Sequence, residues 1–443
     1  MRKRTPPRRI AKPQPLGPVM TYAVDGLTHE AKGVARLQGK VTFIEGALPG
    51  ETVTAQVTKA GRRFDEAVLK DILEPSPDRM DPACSHFHQC GGCSFQHLTN
   101  EKQLAAKADW LQGQLRHLIT TQDLELLSDV SIGYRRRARL SIHRKNGKTV
   151  LGYRGKASND IVSIERCIVL TERLQKVFAS LKSALLEDEL AVILGHIELL
   201  EDTKGVSVVF RLTSPLVNEL KKQWDNWAQA QDVSVYWQAP KSSKADVTLD
   251  SMRYYDLKDR DLGEIRLIYH PQDFTQVNAT MNQKMVTQAM DWLNLNDQDV
   301  VLDLFCGVGN FSLPLAQRAR TVIGVELQES MVDHARKNAQ LNHMDNVSFI
   351  AADLTKSFQN ELSNEQVTKV LLDPPRAGAF EFLDSIIKIG PIQILYVSCN
   401  ASTLARDAEY LVAKGYRVLR VSLMDMFPQT SHVETMMLLQ KKK

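Results

Sequence analysis

No apolar run in the 443-residue chain approaches the ~18 residues that a membrane-crossing helix needs, which excludes a helical membrane protein. The first fifteen residues, MRKRTPPRRIAKPQP, hold six Lys or Arg and no acid, and no apolar segment follows that would make a secretory signal. A cytoplasmic chain is expected. Cysteine is scarce, with six residues at 84, 90, 93, 167, 306 and 399. Disulfides are not expected in that compartment, so clustered cysteines suggest a metal, and isolated ones a core position or a nucleophile. Net charge is only +4, yet residues 1–72 carry thirteen Lys and Arg against seven Asp and Glu. That local surplus fits a region facing a polyanion, or else a solvated basic tail. At about 100 to 200 residues per domain, the length predicts about three domains.

The Pro- and Arg-rich tail, residues 1–15, cannot pack and is expected to stay disordered until it meets a partner. Over residues 16–74 the short runs MTYAV, GVARL, KVTFIEG, TVTAQVT and EAVLKDIL alternate between Gly, Pro and Asp turns. Five short strands suggest a small OB-like barrel, on which Lys32, Arg36, Lys40, Arg62 and Arg63 would meet phosphates. The segment resembles a TRAM domain, an RNA-binding barrel at the front of certain RNA-modifying enzymes.

Residues 75–270 read as an α+β central domain. CSHFHQCGGC places Cys84, Cys90 and Cys93 on a Gly-rich turn, and Cys167 in IERCIVL would close a four-thiolate site. Spacing leaves zinc and an iron-sulfur cluster equally open, with His86, His88 or His97 able to substitute in a zinc site. A helix is expected over Glu101–Leu118. In YRRRARLSI, strand geometry would send Arg135, Arg137 and Arg139 to one side, spaced for a phosphate backbone, or leave them on a solvated edge. No motif appears between Thr171 and Ile265.

Residues 271–443 carry the chemistry. The run HPQDFTQVNATMNQKMV brings Phe274, Gln276 and Asn278 just ahead of an amphipathic helix. VVLDLFCGVGNFSLPLA follows, a strand that runs through Gly307 and Gly309 into a helix, so that backbone amides face one anchor point. Ser312 stands where a third glycine would favour a dinucleotide, which points instead to S-adenosylmethionine. VVLDLF, TVIGVE, VSFIAAD, KVLLDPP, QILYVSC, YRVLRVSL and ETMMLLQ predict a seven-stranded, Rossmann-like α/β sheet in class I methyltransferase order, with ligands at the strands' carboxyl ends.

Glu326 ends the second of these strands, where a carboxylate can accept bonds from two ribose hydroxyls. Asp353 ends the third, placed for an adenine amino group. In LLDPPR, Asp373 precedes a stiff loop and can orient the cofactor's sulfonium end or the target base. Arg376 takes the place where amino-group methyltransferases carry an aromatic residue. YVSCN puts Cys399 at the end of the fifth strand, where the dipole of the following helix would lend it thiolate character. A thiolate added to carbon 6 of uracil makes carbon 5 nucleophilic, and a base must then remove the carbon 5 proton. Glu434 in FPQTSHVETM is the candidate base and His432 the second choice.

DLFCGVGNF, LLDPPR, YVSCN and QTSHVETM together resemble the bacterial uracil-5-methyltransferases of RNA. Within that family the front barrel, the three-plus-one cysteines and the length resemble the branch acting on uracil 1939 of 23S rRNA. The resemblance implies a [4Fe-4S] cluster on Cys84, Cys90, Cys93 and Cys167, and S-adenosylmethionine held by Gln276, Phe305, Asn310, Glu326, Asp353 and Asp373. It also implies Cys399 as nucleophile, Glu434 as base, 23S rRNA as partner, and a monomer with no obligate protein partner. Asp353 departs from an Asn in relatives, and either side chain accepts a bond. The alternatives are another rRNA or tRNA uridine, a non-catalytic iron-sulfur RNA-binding protein, or a dehydrogenase reading of the glycine loop. Cys399, Asp373 and Glu434 occurring together argue against the non-catalytic one.

Overall fold

Period-two burial shapes the N-terminal strands. In the computed structural model, β1 (Val19–Leu27), β2 (Lys32–Leu37), β3 (Lys40–Glu45), β4 (Thr52–Ala60) and β5 (Phe64–Glu74) close a barrel in the order β1-β2-β3-β5-β4. Val53, Ala55 and Val57 of β4 turn inward while Thr52, Thr54 and Gln56 stay partly exposed, the alternation a strand with one buried face must show. Tyr22, Val24, Ala35, Ile44 and Ala67 fill the barrel. Residues 17–119, 124–145, 148–186, 188–259, 263–354 and 366–442 are described, and the basic tail of residues 1–15 lies outside them. The chain divides into two compact units, Met1–Pro82 with Ser94–Ala106, and Ala83–Cys93 with Lys107–Lys443.

After α1 (Asn100–Leu115) and β6 (Leu124–Leu127) come β7 (Arg137–Lys145), β8 (Lys148–Arg154), β9 (Ile161–Ser163), α2 (Glu172–Leu185), β10 (Leu194–Asp202), β11 (Gly205–Leu212), α3 (Asn218–Gln231) and β12 (Val233–Gln238). Their strands, apart from β6, form a sheet in the order β12-β11-β10-β7-β8-β9. Leu174, Phe178 and Leu181 of α2 and Trp224 of α3 are buried on it in one core with Leu140, Leu199 and Phe210. The hairpin β13 (Arg253–Asp259) and β14 (Gly263–Tyr269) is tied to this sheet through Asp202, which accepts from Arg253 Nε at 2.9 Å and Tyr269 Oη at 2.6 Å.

The remaining elements are α4 (Ala279–Leu293), β15 (Val300–Leu304), α5 (Ser312–Ala316), β16 (Thr321–Glu326), α6 (Glu329–Leu341), β17 (Val347–Ala351), β18 (Lys369–Leu372), α7 (Leu383–Ile389), β19 (Gln393–Ser398), α8 (Ala401–Ala413), β20 (Tyr416–Met424) and β21 (Glu434–Lys441). All seven expected strands share one sheet, in the order β17-β16-β15-β18-β19-β21-β20-β6, with β21 antiparallel between β19 and β20. The expected count of seven is exceeded, because β6 adds an eighth strand at the β20 edge. Glu125 of β6 accepts from Arg420 of β20 at 2.8 and 2.9 Å. Val300, Val301, Leu302 and Leu304 of β15 are fully buried, as a strand covered on both faces requires. Among the described residues no helix is long and apolar enough to cross a membrane.

Candidate active site

The loop after β15 is built from strained backbone. Phe305, Gly307 and Gly309 take φ of 66°, 57° and 96°, and a side chain on Gly309 would meet Leu313 at 3.3 Å. The amides of Phe305 and Cys306 both donate to the Val325 carbonyl, at 2.8 and 3.1 Å, which fixes the turn against β16. The cleft beside this loop is lined by Gln276, Phe305, Asn310 and Asp373, with Tyr255, Phe274 and Met331. Four of the six expected cofactor residues therefore meet in one place. Glu326 and Asp353 do not line it. Glu326 ends β16, its Oε1 accepting from the Gln328 amide at 3.0 Å, and Asp353 lies two residues past the end of β17.

Two further residues orient this cleft, and no motif announced them. Asn310 Oδ1 accepts from Tyr255 Oη and from Asn282 Nδ2, each at 3.0 Å, and its own Nδ2 returns a bond to Asn282 Oδ1 at 3.0 Å. The amide is thereby held in one orientation. Beneath the loop, Asp303 accepts from the Ser312 hydroxyl at 2.5 Å while its other oxygen has no protein partner. Burial pushes the Asp303 carboxyl up to about 7 against the pull of Ser312, with the Asp373 and Glu326 charges adding to the rise. Asp373 is likewise raised to about 7, by burial.

The register of the antiparallel pair β19 and β21 ends with Ser398 opposite Thr435, which leaves Cys399 and Glu434 as the next residue on each side, close enough for the Glu434 charge to act on the thiol. Burial drives the Glu434 carboxyl well above its ordinary range, with Asp373 adding to the rise and Arg376 opposing it. The thiolate character expected of Cys399 does not appear. Burial, Glu434 and Asp373 push the thiol up, and the Arg376 guanidinium, hydrogen-bonded to it, pulls the other way. Asn400 caps α8 by accepting from the Ser402 amide at 3.1 Å and donates to the Arg376 carbonyl at 3.0 Å, which joins the thiol's loop to the DPPR loop. Arg376 also lies 3.3 Å from His432 Nδ1. Sequence reasoning had Arg376 only as the residue replacing an aromatic; its position straight after the two prolines at a strand's carboxyl end was the signal available.

This geometry matches known proteins. The family model for tRNA (uracil-5-)-methyltransferase matches residues 99–442, and that for the TRAM domain residues 16–70. The chain belongs to the tRNA (uracil-5-)-methyltransferase family. A protein from Marinomonas sp. (strain MWYL1) named 23S rRNA (uracil(1939)-C(5))-methyltransferase RlmD is 73% identical over 100% of each chain. A protein of the same name from Marinomonas posidonica is 65% identical, again over 100% of each. Among solved structures, Pyrococcus abyssi tRNA (uracil-54, C5)-methyltransferase in complex with S-adenosyl-L-homocysteine superposes with a TM-score of 0.74 at 24% identity, covering 95% of this chain and 100% of that one. That likeness carries the fold.

In this member of the uracil-5-methyltransferase family the arginine strand is partly consumed by its own protein. Arg137 pairs with Glu198 at 3.0 Å, and Arg136 donates to the Gln276 carbonyl at 2.8 Å and lies over the Tyr255 ring. Arg139 keeps an exposed side chain against His196 and, with Arg154 and Arg211, borders a polar hollow. On the barrel, Lys32 pairs with Glu30 at 3.2 Å and Lys40 with Asp65 at 2.7 Å, while Arg62 and Arg63 are exposed.

Three of the four expected metal ligands, Cys84, Cys90 and Cys167, lie near enough for their charges to act on one another. Burial raises the Cys90 and Cys167 thiols, with Cys84 adding to the rise in both and Cys90 in Cys167. Cys90 bridges to Gly155 by backbone pairing, which brings the Gly-rich turn to the end of β8. Among the described residues, however, no group of three or more His, Cys, Asp or Glu is drawn together closely enough to hold a metal ion. The expected metal centre is therefore not borne out by the geometry.

Proposed function

We propose that the chain transfers a methyl group from S-adenosylmethionine to carbon 5 of a uridine in 23S rRNA, position 1939 by likeness to its relatives. The observation that carries the reaction is the placing of Cys399 and Glu434 next to the last paired residues of β19 and β21, beside the cleft lined by Asp373 and Asn310. Burial raises both groups, and the Glu434 charge adds to the rise of the thiol. In this reading Gln276, Phe305, Asn310, Glu326, Asp353 and Asp373 hold the cofactor, which supplies an electrophilic methyl group on a positively charged sulfur. Residues 1–15 form a basic tail, 16–74 a TRAM barrel, 75–270 a central domain and 271–443 the catalytic domain.

Cys399 adds to carbon 6 of the target ring, and the displaced electron pair makes carbon 5 the nucleophile that takes the methyl group. Glu434 then removes the carbon 5 proton, the electron pair returns to the ring, and the carbon-sulfur bond breaks to release the thiolate. The target base must leave any stack to reach Cys399. Support for an RNA partner comes from Arg62 and Arg63 on the barrel and from the exposed Arg139, Arg154 and Arg211.

The all-thiol donor set suits a cluster, and Cys84, Cys90 and Cys167 lie near enough for their charges to act on one another. Cys84, Cys90, Cys93 and Cys167 would hold a [4Fe-4S] cluster, tying the Gly-rich turn to the segment before α2.

The reaction is tested with RNA carrying 5-fluorouridine at the target, since fluorine cannot leave as a proton. The parent protein is expected to form a covalent adduct stable to denaturation and Cys399→Ser none. Equal adduct from both would refute the assignment.

A further inference from the structure

The loop that leads from β20 into β21 is gripped at three successive carbonyls, each by a side chain from a different part of the chain. Asn278 Nδ2 donates to the Met426 carbonyl at 3.3 Å, Lys107 Nζ to that of Phe427 at 3.1 Å, and Tyr134 Oη to that of Pro428 at 3.0 Å. The three donors are 2%, 2% and 6% exposed. A strand connection ordinarily turns its carbonyls to water, and a buried polar side chain that spends its donor on one is constrained by it. Lys107 also pairs with Asp425, the first residue of the loop, at 2.7 Å. A buried ion pair is a poor source of stability, so its retention points to fixing one geometry. Beyond the three carbonyls, Gln429 takes φ of 67° and the Thr430 hydroxyl donates back to the Phe427 carbonyl at 2.8 Å. Four residues later the chain reaches Glu434.

We propose that Tyr134, Lys107 and Asn278 are positioning residues that set the Glu434 carboxyl for proton removal; the inference rests on Glu434 being the base. The grip acts on that side of the site only. Cys399 is placed by β19, by the Asn400 cap and by the DPPR loop, none of which these donors touch. Loosening the loop therefore impairs the release step and spares thiol attack and methyl transfer.

Two of the donors also belong to segments with a second duty. Asn278 caps α4, accepting from the Met281 amide at 3.1 Å, and stands two residues after Gln276 of the cofactor cleft. Tyr134 lies between Gly133 and Arg135, whose amides donate to the carbonyls of Ile168 and Val169 at 2.9 and 2.8 Å, just past Cys167. The cleft and the segment that bears Cys167 are thus both fastened to the loop that leads to the base.

Tyr134→Phe keeps the ring and removes only the donor. The experiment compares the full-length parent, Tyr134→Phe and Glu434→Gln on a 23S rRNA fragment containing the target uridine, with radiolabelled S-adenosylmethionine. Methyl transfer to RNA in a single turnover, covalent protein–RNA adduct on a denaturing gel, and thermal melting are followed. Tyr134→Phe is expected to transfer methyl at the parent rate, release product about three- to tenfold more slowly, and accumulate methylated adduct, with Glu434→Gln doing so more strongly. A purely structural Tyr134 would slow transfer and release together and lower the melting temperature, and that result overturns the inference. So does a Tyr134→Phe protein indistinguishable from the parent while Glu434→Gln accumulates adduct. If Glu434→Gln accumulates none, the base assignment itself fails and the inference falls with it.

Discussion

Asp373 offers the sharpest test of which cofactor the cleft takes. With no cationic ligand its carboxyl is held at about 7 by burial, so it is roughly half protonated at neutral pH. In the proposed arrangement the positive sulfur of S-adenosylmethionine would sit beside Asp373, favour the ionised carboxylate and drive off that proton. Binding is therefore linked to deprotonation and strengthens as pH rises. At pH 6 about a tenth of a group titrating near 7 is ionised and at pH 8 about nine tenths, so affinity is expected to rise about tenfold between them. S-adenosylhomocysteine has the same adenosine, amino and carboxylate groups but a neutral sulfur, and its affinity should change far less. Asp303, also near 7 and coupled to Asp373, is separated from the effect by Asp373→Asn, in which the difference between the two ligands should vanish. Calorimetric titration of both ligands at the two pH values decides the matter. Equal slopes for the charged and neutral ligands would refute the placement of the sulfonium at Asp373.

Arg376→Met removes the guanidinium that holds the Cys399 thiol down. The thiol is expected to titrate higher in the variant, so adduct formation on 5-fluorouridine RNA should be severalfold slower at pH 7, with the midpoint of its pH profile moved upward. An unmoved midpoint would count against Arg376 acting on the thiol. The four-thiol site predicts about four iron and four sulfide per chain in protein purified without oxygen, sharply reduced in Cys167→Ser. Stoichiometric zinc, or no metal at all, would sink the cluster reading.

What the sequence made legible follows from the geometry of parallel sheets. Residues that end strands in a doubly wound sheet gather at one edge whatever lies between them, so Asp373 and Cys399 could be placed together from position alone. The barrel was legible for a similar reason, since β3 and β4 show their inward face every second residue. Contacts made across the sequence were not. Arg137 looked like a phosphate ligand because nothing in YRRRARLSI reveals Glu198, which lies 61 residues on and neutralises it. LELL, only four residues long and without alternation, gave no sign that β6 would extend the catalytic sheet. Tyr134 stood beside the arginines without notice, since its role depends on Pro428, 294 residues away.

Burial is the main reason that Cys399 and Glu434 both hold their protons in the resting site, with the Glu434 charge adding to it for the thiol and the Asp373 charge for the carboxyl. Two acids facing each other in a poorly solvated place cannot both ionise, so they titrate as a coupled pair. While the sulfur carries the negative charge, Glu434 stays neutral. In the proposed reaction, bond formation to carbon 6 would remove that charge from the sulfur and with it one opposition to ionisation of Glu434. The carboxyl would then ionise more readily once the nucleophile has been consumed, which is when a base is needed. Arg376 opposes the rise in both groups, so it lowers the cost of whichever one is charged and need not move between the steps. The pH profile of Arg376→Met reads this coupling directly, because a guanidinium acting on the thiol alone would shift adduct formation and leave product release where it was.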